Sequence, residues 1–213
     1  MRPLPRGRHG LSREHVVHDQ RERLLAAIAA SLDEQTFDGT TVSLIGGRAR
    51  VSKSDFYRHF ASKDACFLTA YDDAAERLRR EVRSGCAERE GWPGRVCAGL
   101  AAALAWLAAE PARANLLLVE GLRAGPQLYD RFLAMLDSFL PLLREGAQAA
   151  GGAADRLPQA ADEAVVGGIA SLLGRRVLAG ETEDLPKMFP EVAEFALTPY
   201  LGAAEARRII SAG

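Results

Sequence analysis

Apolar side chains recur at helical spacing along nearly the whole chain. Leu24, Leu25, Ile28, Ala29 and Leu32 fall at i, i+1, i+4, i+5 and i+8, one face of a 3.6-residue repeat, which predicts a helix from about Val16. TFDGTT ends it. Thr41 can then cap a short second helix, VSLIGGRA, Ser52 a third, KSDFYRHF, and Ser62 a long fourth running towards Cys86. A Ser or Thr oxygen accepts one of the backbone N–H groups that an opening helix leaves unpaired. After EGWPG, helices are expected over about 93–109, 112–123, 127–150, 158–179, 185–201 and 203–210. Breaks are expected at Glu110–Pro111, Gly125–Pro126, Gly151–Gly152 and around Leu185–Pro186. No stretch alternates β-branched and polar residues as a strand would, so the fold class is all-α.

Against this periodicity, VSKSDFYRHFASKDACF (Val51 to Phe67) stands out, because Phe56 to Phe60 form an unbroken row of bulky side chains that must face several directions. Only a turn at Arg50–Val51 separates the second helix from the third, which is helix-turn-helix spacing, with the later helix of the pair destined for the DNA major groove. On that reading Phe56 and Phe60, four apart, pack inwards on Leu24, Ile28, Val42 and Ile45. Tyr57, Arg58 and His59 project outwards, where they can meet phosphate oxygens, and Lys53, Ser54 and Asp55 point at base edges. Lys63, at the start of the fourth helix, makes a second phosphate clamp. Asp55, an acid facing a polyanion, either accepts from a cytosine amine or caps its own helix.

Charge distribution supports a polyanion partner for the head alone. The 213 residues carry a formal net charge of −1, yet residues 1–63 hold eleven Lys/Arg against seven Asp/Glu and the remainder 16 against 21. The first fifteen residues, MRPLPRGRHGLSREH, read as a disordered basic arm. Its Arg6 and Arg8 enter a narrow A·T-rich minor groove, attract DNA without specificity, or belong to a flexible arm with no function. Three cysteines without ligand spacing argue against both a disulfide framework and a metal site. Cys66 is read as a buried small hydrophobe in preference to a redox sensor. With no apolar leader and a longest uncharged run of 14 residues (Val96–Ala109), neither export nor a membrane span is expected, and the cytoplasm is the expected location.

The run TTVSLIGGRARVSKSDFYRHFASKDACF resembles the DNA-binding signature of the TetR family of bacterial one-component transcription regulators. The shared features are the Thr-Thr-Val opening, the Ile of helix two, the Val-Ser turn, the aromatic row and the Ser-Lys-Asp start of helix four. PRGRHGLSRE followed by QRERLL is similar to actinobacterial members. The resemblance is sequence-specific over roughly 16–72 and architectural beyond. It implies a homodimer that grips a pseudo-palindromic operator, usually represses, and releases DNA when a small molecule enters the C-terminal helices. By position, the family's phosphate contacts fall on Thr41, Tyr57, His59 and Lys63, and its base-reading positions on Ser52, Lys53, Ser54 and Asp55. Four positions depart from the family pattern: Arg50 where a left-handed glycine is common, Gly46 and Gly47 inside helix two, and Thr36 where a glycine often ends helix one. Together they predict a softer head.

The resulting organisation is an arm (1–15), a helix-turn-helix domain (16–63) and a helical ligand-binding and dimerisation domain (64–213). Pocket candidates are Trp106, Leu117, Phe132, Met135, Phe139 and Leu173, with an uncharged or lipophilic effector expected because only Glu110 and Arg113 are charged between Val96 and Val119. Dimerisation is expected through about 160–201, with charge at Val166 or Leu173 giving monomers. No cofactor is called for. An enzyme fits poorly, since no phosphate loop, paired-carboxylate signature or ligand spacing occurs. The other competitor is a helix-turn-helix that has become a protein-interaction module, against which the basic arm and the Lys53–Lys63 pattern speak.

Overall fold

A computed structural model of the chain describes residues 13–32, 34–87, 89–123, 125–149, 157, 158 and 160–212. All regular structure among them is helical. The chain divides into two compact units, Met1–Asp73 and Ala74–Gly213.

The first unit holds α1 (Arg13–Leu32), α2 (Val42–Ala49), α3 (Lys53–His59) and the opening of α4 (Lys63–Ala87). α1 starts three residues ahead of Val16, with Glu14 in its first turn where an acid favours the helix dipole. The segment before it, with Arg6 and Arg8, lies outside the described residues. Leu24, Ile28, Ile45 and Phe56 are fully buried and Phe60 nearly so. α1 packs on α2 and α2 on α3. Arg23 ties α1 to the end of α2: its Nε bonds Asp19 at 2.9 Å and its Nη1 donates to the Ala49 carbonyl at 2.5 Å. Cys66 is buried in this unit, and desolvation raises its thiol to a pKa of about 12, which suits packing and not redox chemistry.

The second unit continues α4 and adds α5 (Trp92–Ala109), α6 (Pro111–Asn115), a π turn (Leu116–Glu120), α7 (Gly121–Arg123), α8 (Pro126–Asp137), α9 (Leu140–Ala149), α10 (Ala161–Leu178), a 3-10 segment (Thr182–Met188), α11 (Phe189–Leu201) and α12 (Ala203–Ala212). α5 is long and apolar enough to cross a membrane by length and composition. Here it packs on α9, α11 and the 3-10 segment and turns Ala101, Ala105 and Ala109 outwards.

Three boundaries differ from the sequence expectation. The helix expected over 112–123 is broken by the π turn, whose wider winding lets Leu116, Leu117, Leu118, Val119 and Glu120 all be buried in succession. The helix expected over 127–150 is interrupted at Ser138–Phe139. Pro141 lacks an N–H and its ring would clash with the carbonyl of Asp137. The break expected near Leu185–Pro186 falls earlier, where Gly180 takes a positive φ of 77°, and the 3-10 segment accommodates Pro186.

Three polar links brace the second unit. The Trp92 indole donates to the Leu142 carbonyl at 2.6 Å, the Tyr200 hydroxyl donates to the Asp162 carboxylate, and Arg144 lies 3.5 Å from the same carboxylate. They join α5 to α9, and α9 and α11 to α10. Burial and the Asp162 hydrogen bond both raise the Tyr200 pKa, so this hydroxyl stays protonated.

Candidate nucleic-acid interface and apolar cavity

All three capping side chains expected from the sequence act as caps. The Leu44 N–H donates to Thr41 Oγ1 at 3.2 Å, the Asp55 N–H to Ser52 Oγ at 3.0 Å, and the Ala65 N–H to Ser62 Oγ at 3.0 Å. These caps fix where α2, α3 and α4 begin. The connection between α2 and α3 is equally local. Val51 N–H donates to Gly46 O at 2.9 Å and Arg50 N–H to Gly47 O at 3.2 Å, the paired bonds of a Schellman closure. Arg50 occupies its left-handed position, with φ 54° and ψ 44°. For a residue with a Cβ this costs about 1–2 kcal/mol.

The closure also revises the expectation that both helix-two glycines merely soften the head. A Cβ on Gly46 would stand 2.8 Å from the Val51 carbonyl oxygen, so this glycine lets the chain fold back tightly; a Cβ on Gly47 would meet nothing within 4 Å.

On α3, Lys53, Ser54, Tyr57 and Arg58 are exposed, Tyr57 by 51%. Lys53 and Tyr57, four apart, share one face. Thr41 and Ser52 are exposed beside their helix starts. Asp55 is half-buried and engaged within its own helix: Ser52 Oγ donates to it at 2.7 Å and Arg58 Nη1 at 2.9 Å. Of the two readings open for this acid, that geometry is the local one.

Two predicted phosphate contacts hold internal bonds in the free protein. His59 Nε2 lies 3.1 Å from Gln20 Oε1, so it is the donor there. Burial, then the Arg21 charge, lowers the His59 pKa, leaving the ring neutral near pH 7. Lys63 Nζ donates to the Phe37 carbonyl at 2.7 Å and sits 4.0 Å from the centroid of the Phe37 ring.

The second unit contains a cavity of about 110 Å³ whose lining is apolar throughout. Of the predicted pocket residues, Met135, Phe139 and Leu173 line it. Trp106 and Leu117 do not. On α5 the inward stripe is Val96, Gly99, Leu100, Ala103, Leu104 and Leu107, and Trp106 lies one residue out of phase with it. Leu117 is fully buried in the π turn, where Leu118 takes the lining position. Phe132 faces a neighbouring, more open groove of about 350 Å³ that also contains Arg123 and Arg175. Leu104, Ile169 and Ala196 were missed as lining residues; the stripe on α5 is the signal that identifies the first. Glu120 is buried in the π turn, and desolvation, opposed by Arg123, raises its pKa. Among the described residues, no group of three His, Cys, Asp or Glu side chains is placed to hold a metal ion.

Three helices, the second closed onto the third by a Schellman turn, with a capped and polar third helix, define a helix-turn-helix unit. Residues 24–70 match the sequence model of the bacterial regulatory proteins of the tetR family. The helix-turn-helix is that of the TetR family. Solved structures share the fold. The fatty acid degradation regulator FadR from Bacillus halodurans matches with a TM-score of 0.74 at 18% identity, over 84% of this chain and 94% of its own. FadR from Bacillus subtilis, solved in complex with stearoyl-CoA, matches with a TM-score of 0.69 at 17% identity, over 85% and 98%. A TetR transcriptional regulator from Chloroflexus aurantiacus J-10-FL matches at 0.62 and 24%, over 87% and 96%. No curated protein sequence matches the chain.

Proposed function

We propose that this transcription regulator is a ligand-responsive repressor that binds a pseudo-palindromic operator as a homodimer in the cytoplasm and is released by an apolar effector. The observation that carries the reading is the pairing, in one chain, of a TetR-family helix-turn-helix with a separate helical unit that holds a cavity of wholly apolar lining. Thr41, Tyr57, His59 and Lys63 are assigned to phosphates, and Ser52, Lys53 and Ser54 to base edges. Asp55 is assigned to holding Ser52 and Arg58. His59 and Lys63 exchange their bonds to Gln20 and Phe37 for phosphate oxygens on binding. Residues 16–63 form the DNA-binding domain and 64–213 the effector and dimerisation domain. No catalytic step is assigned to any residue.

The effector's chemistry follows from the cavity. A lining without a polar side chain rewards an aliphatic chain and penalises a desolvated polar group. Stearoyl-CoA, bound by the Bacillus subtilis regulator, carries such a chain. The central test is fluorescence anisotropy of the purified protein with duplexes from the intergenic DNA beside its gene, set against scrambled duplexes over a salt series. Charge-mediated attraction weakens steeply with salt, so the informative quantity is the gap between the two DNAs. A gap that persists near physiological salt and closes on adding a long-chain acyl compound supports the reading. Equal, salt-fragile binding to both DNAs overturns it.

A further inference from the structure

Arg50 combines three features. It is the one non-glycine residue with positive φ among the described residues. Its backbone is held there by the two bonds of the α2 closure, so the strain cannot relax without opening the turn. Its side chain is exposed and makes no hydrogen bond or ion pair among the described residues. Arg23, Arg48 and Arg58 of the same unit differ, since each is paired with a carboxylate: Asp19, Glu34 and Asp55 respectively.

A glycine would satisfy the backbone here without penalty, and an asparagine or aspartate could offset it by local hydrogen bonding. Arginine does neither. A strained residue whose side chain does nothing for its own unit points to a role outside that unit. Arg50 also stands at a particular place, two residues ahead of the Ser52 cap that opens α3, in the turn that feeds the helix assigned to the major groove. A guanidinium presents a planar fork of donors that matches a phosphate's oxygens, and it keeps its charge at every working pH.

We infer that Arg50 is a DNA-backbone clamp: the rigid turn presents its unpaired guanidinium to a phosphate flanking the base-reading helix. The inference rests on the proposed DNA-binding function and adds a contact at a position where the family pattern commonly has a glycine. A phosphate clamp carries no sequence information, so it supplies affinity and register to any duplex.

The test compares wild type, Arg50→Gly and Arg50→Lys by anisotropy on fluorescein-labelled native intergenic and scrambled duplexes over a salt series. Arg50→Gly should weaken both duplexes by the same roughly five- to tenfold factor and flatten the salt slope by about one per bound head. Arg50→Lys should keep the slope. Arg50→Gly should also melt no lower than wild type, because it relieves the left-handed strain, so weaker binding cannot be assigned to unfolding. Unchanged affinity and slope in Arg50→Gly would overturn the inference while leaving the DNA-binding function standing. Loss confined to the native duplex would overturn it in favour of base reading. Wild type that binds neither duplex at low salt would overturn the DNA-binding reading and the clamp together.

Discussion

Lys63 holds Phe37 twice over, donating to its carbonyl at 2.7 Å while its ammonium stands 4.0 Å from the centre of the same ring. The Phe37 ring in turn stacks on Phe67, with centroids 4.5 Å apart. The side chain assigned to a phosphate therefore also anchors the loop between α1 and α2 to the first turns of α4. A charged hydrogen bond and a cation–π contact made by one half-buried ammonium together contribute on the order of 1–2 kcal/mol. Lys63→Ala should lower stability by about 1–2 kcal/mol in a urea titration as well as weakening DNA binding. A variant with wild-type stability would show that the Phe37 contacts are incidental.

Gly46 and Gly47 are adjacent, yet they should respond to alanine with opposite signs. At Gly46 a methyl group would be forced against the Val51 carbonyl at 2.8 Å, in backbone that has no free movement. Overpacking of this kind costs about 1–3 kcal/mol. At Gly47 the methyl would meet nothing, and alanine's helix propensity should add about 0.8–1 kcal/mol. Denaturant midpoints of the two variants check both signs, and a stabilised Gly46→Ala would refute the close approach.

That pair marks where sequence reading succeeds and where it stops. The caps at Thr41, Ser52 and Ser62 were legible because each depends on one side chain and a backbone N–H three residues later. The left-handed state of Arg50 was legible from the family resemblance, whose pattern commonly has a glycine at that turn position. The role of Gly46 was not, because it depends on how far the chain folds back at Val51. Pro141 carries a signal for the interruption after α8 that the helix expected over 127–150 leaves out of account. The π turn had no comparable signal. Its consequence, a shift of phase that places Leu118 and not Leu117 on the cavity, appears only once α10 is packed beside it.

The His59 ring gives a pH signature. Its folded pKa lies below the ordinary value, so the unfolded chain binds the proton more tightly. The contribution of this residue is therefore complete above the unfolded value of about 6.5 and is lost as pH falls through the window towards the folded value. Thermal melts between about pH 5 and 7 should show the wild type losing stability relative to His59→Gln as pH drops. Parallel curves for the two proteins would mean that the ring is not held neutral by its surroundings.

The proposed dimer surface keeps to α10 and α11, within the expected 160–201, but two residues expected to face the partner do not belong to it. Val166 and Leu173 are 8% and 5% exposed and both line the cavity, so they belong to the interior of their own subunit. Charge there should unfold the second unit, since an unpaired buried carboxylate costs several kcal/mol. The outward apolar group on α11 is Phe195, which is 42% exposed and lies close over Gly168 of α10: a Cβ on that glycine would stand 2.9 Å from the ring. With Ala164 and Ser171 exposed along the same helix, Phe195 is the feature best suited to pack against a second copy. Phe195→Glu should give a monomer by light scattering, with a melting temperature that no longer depends on protein concentration. Val166→Glu should instead lose its cooperative melt. If Phe195→Glu remains a dimer, the subunits meet elsewhere than on the α10–α11 face.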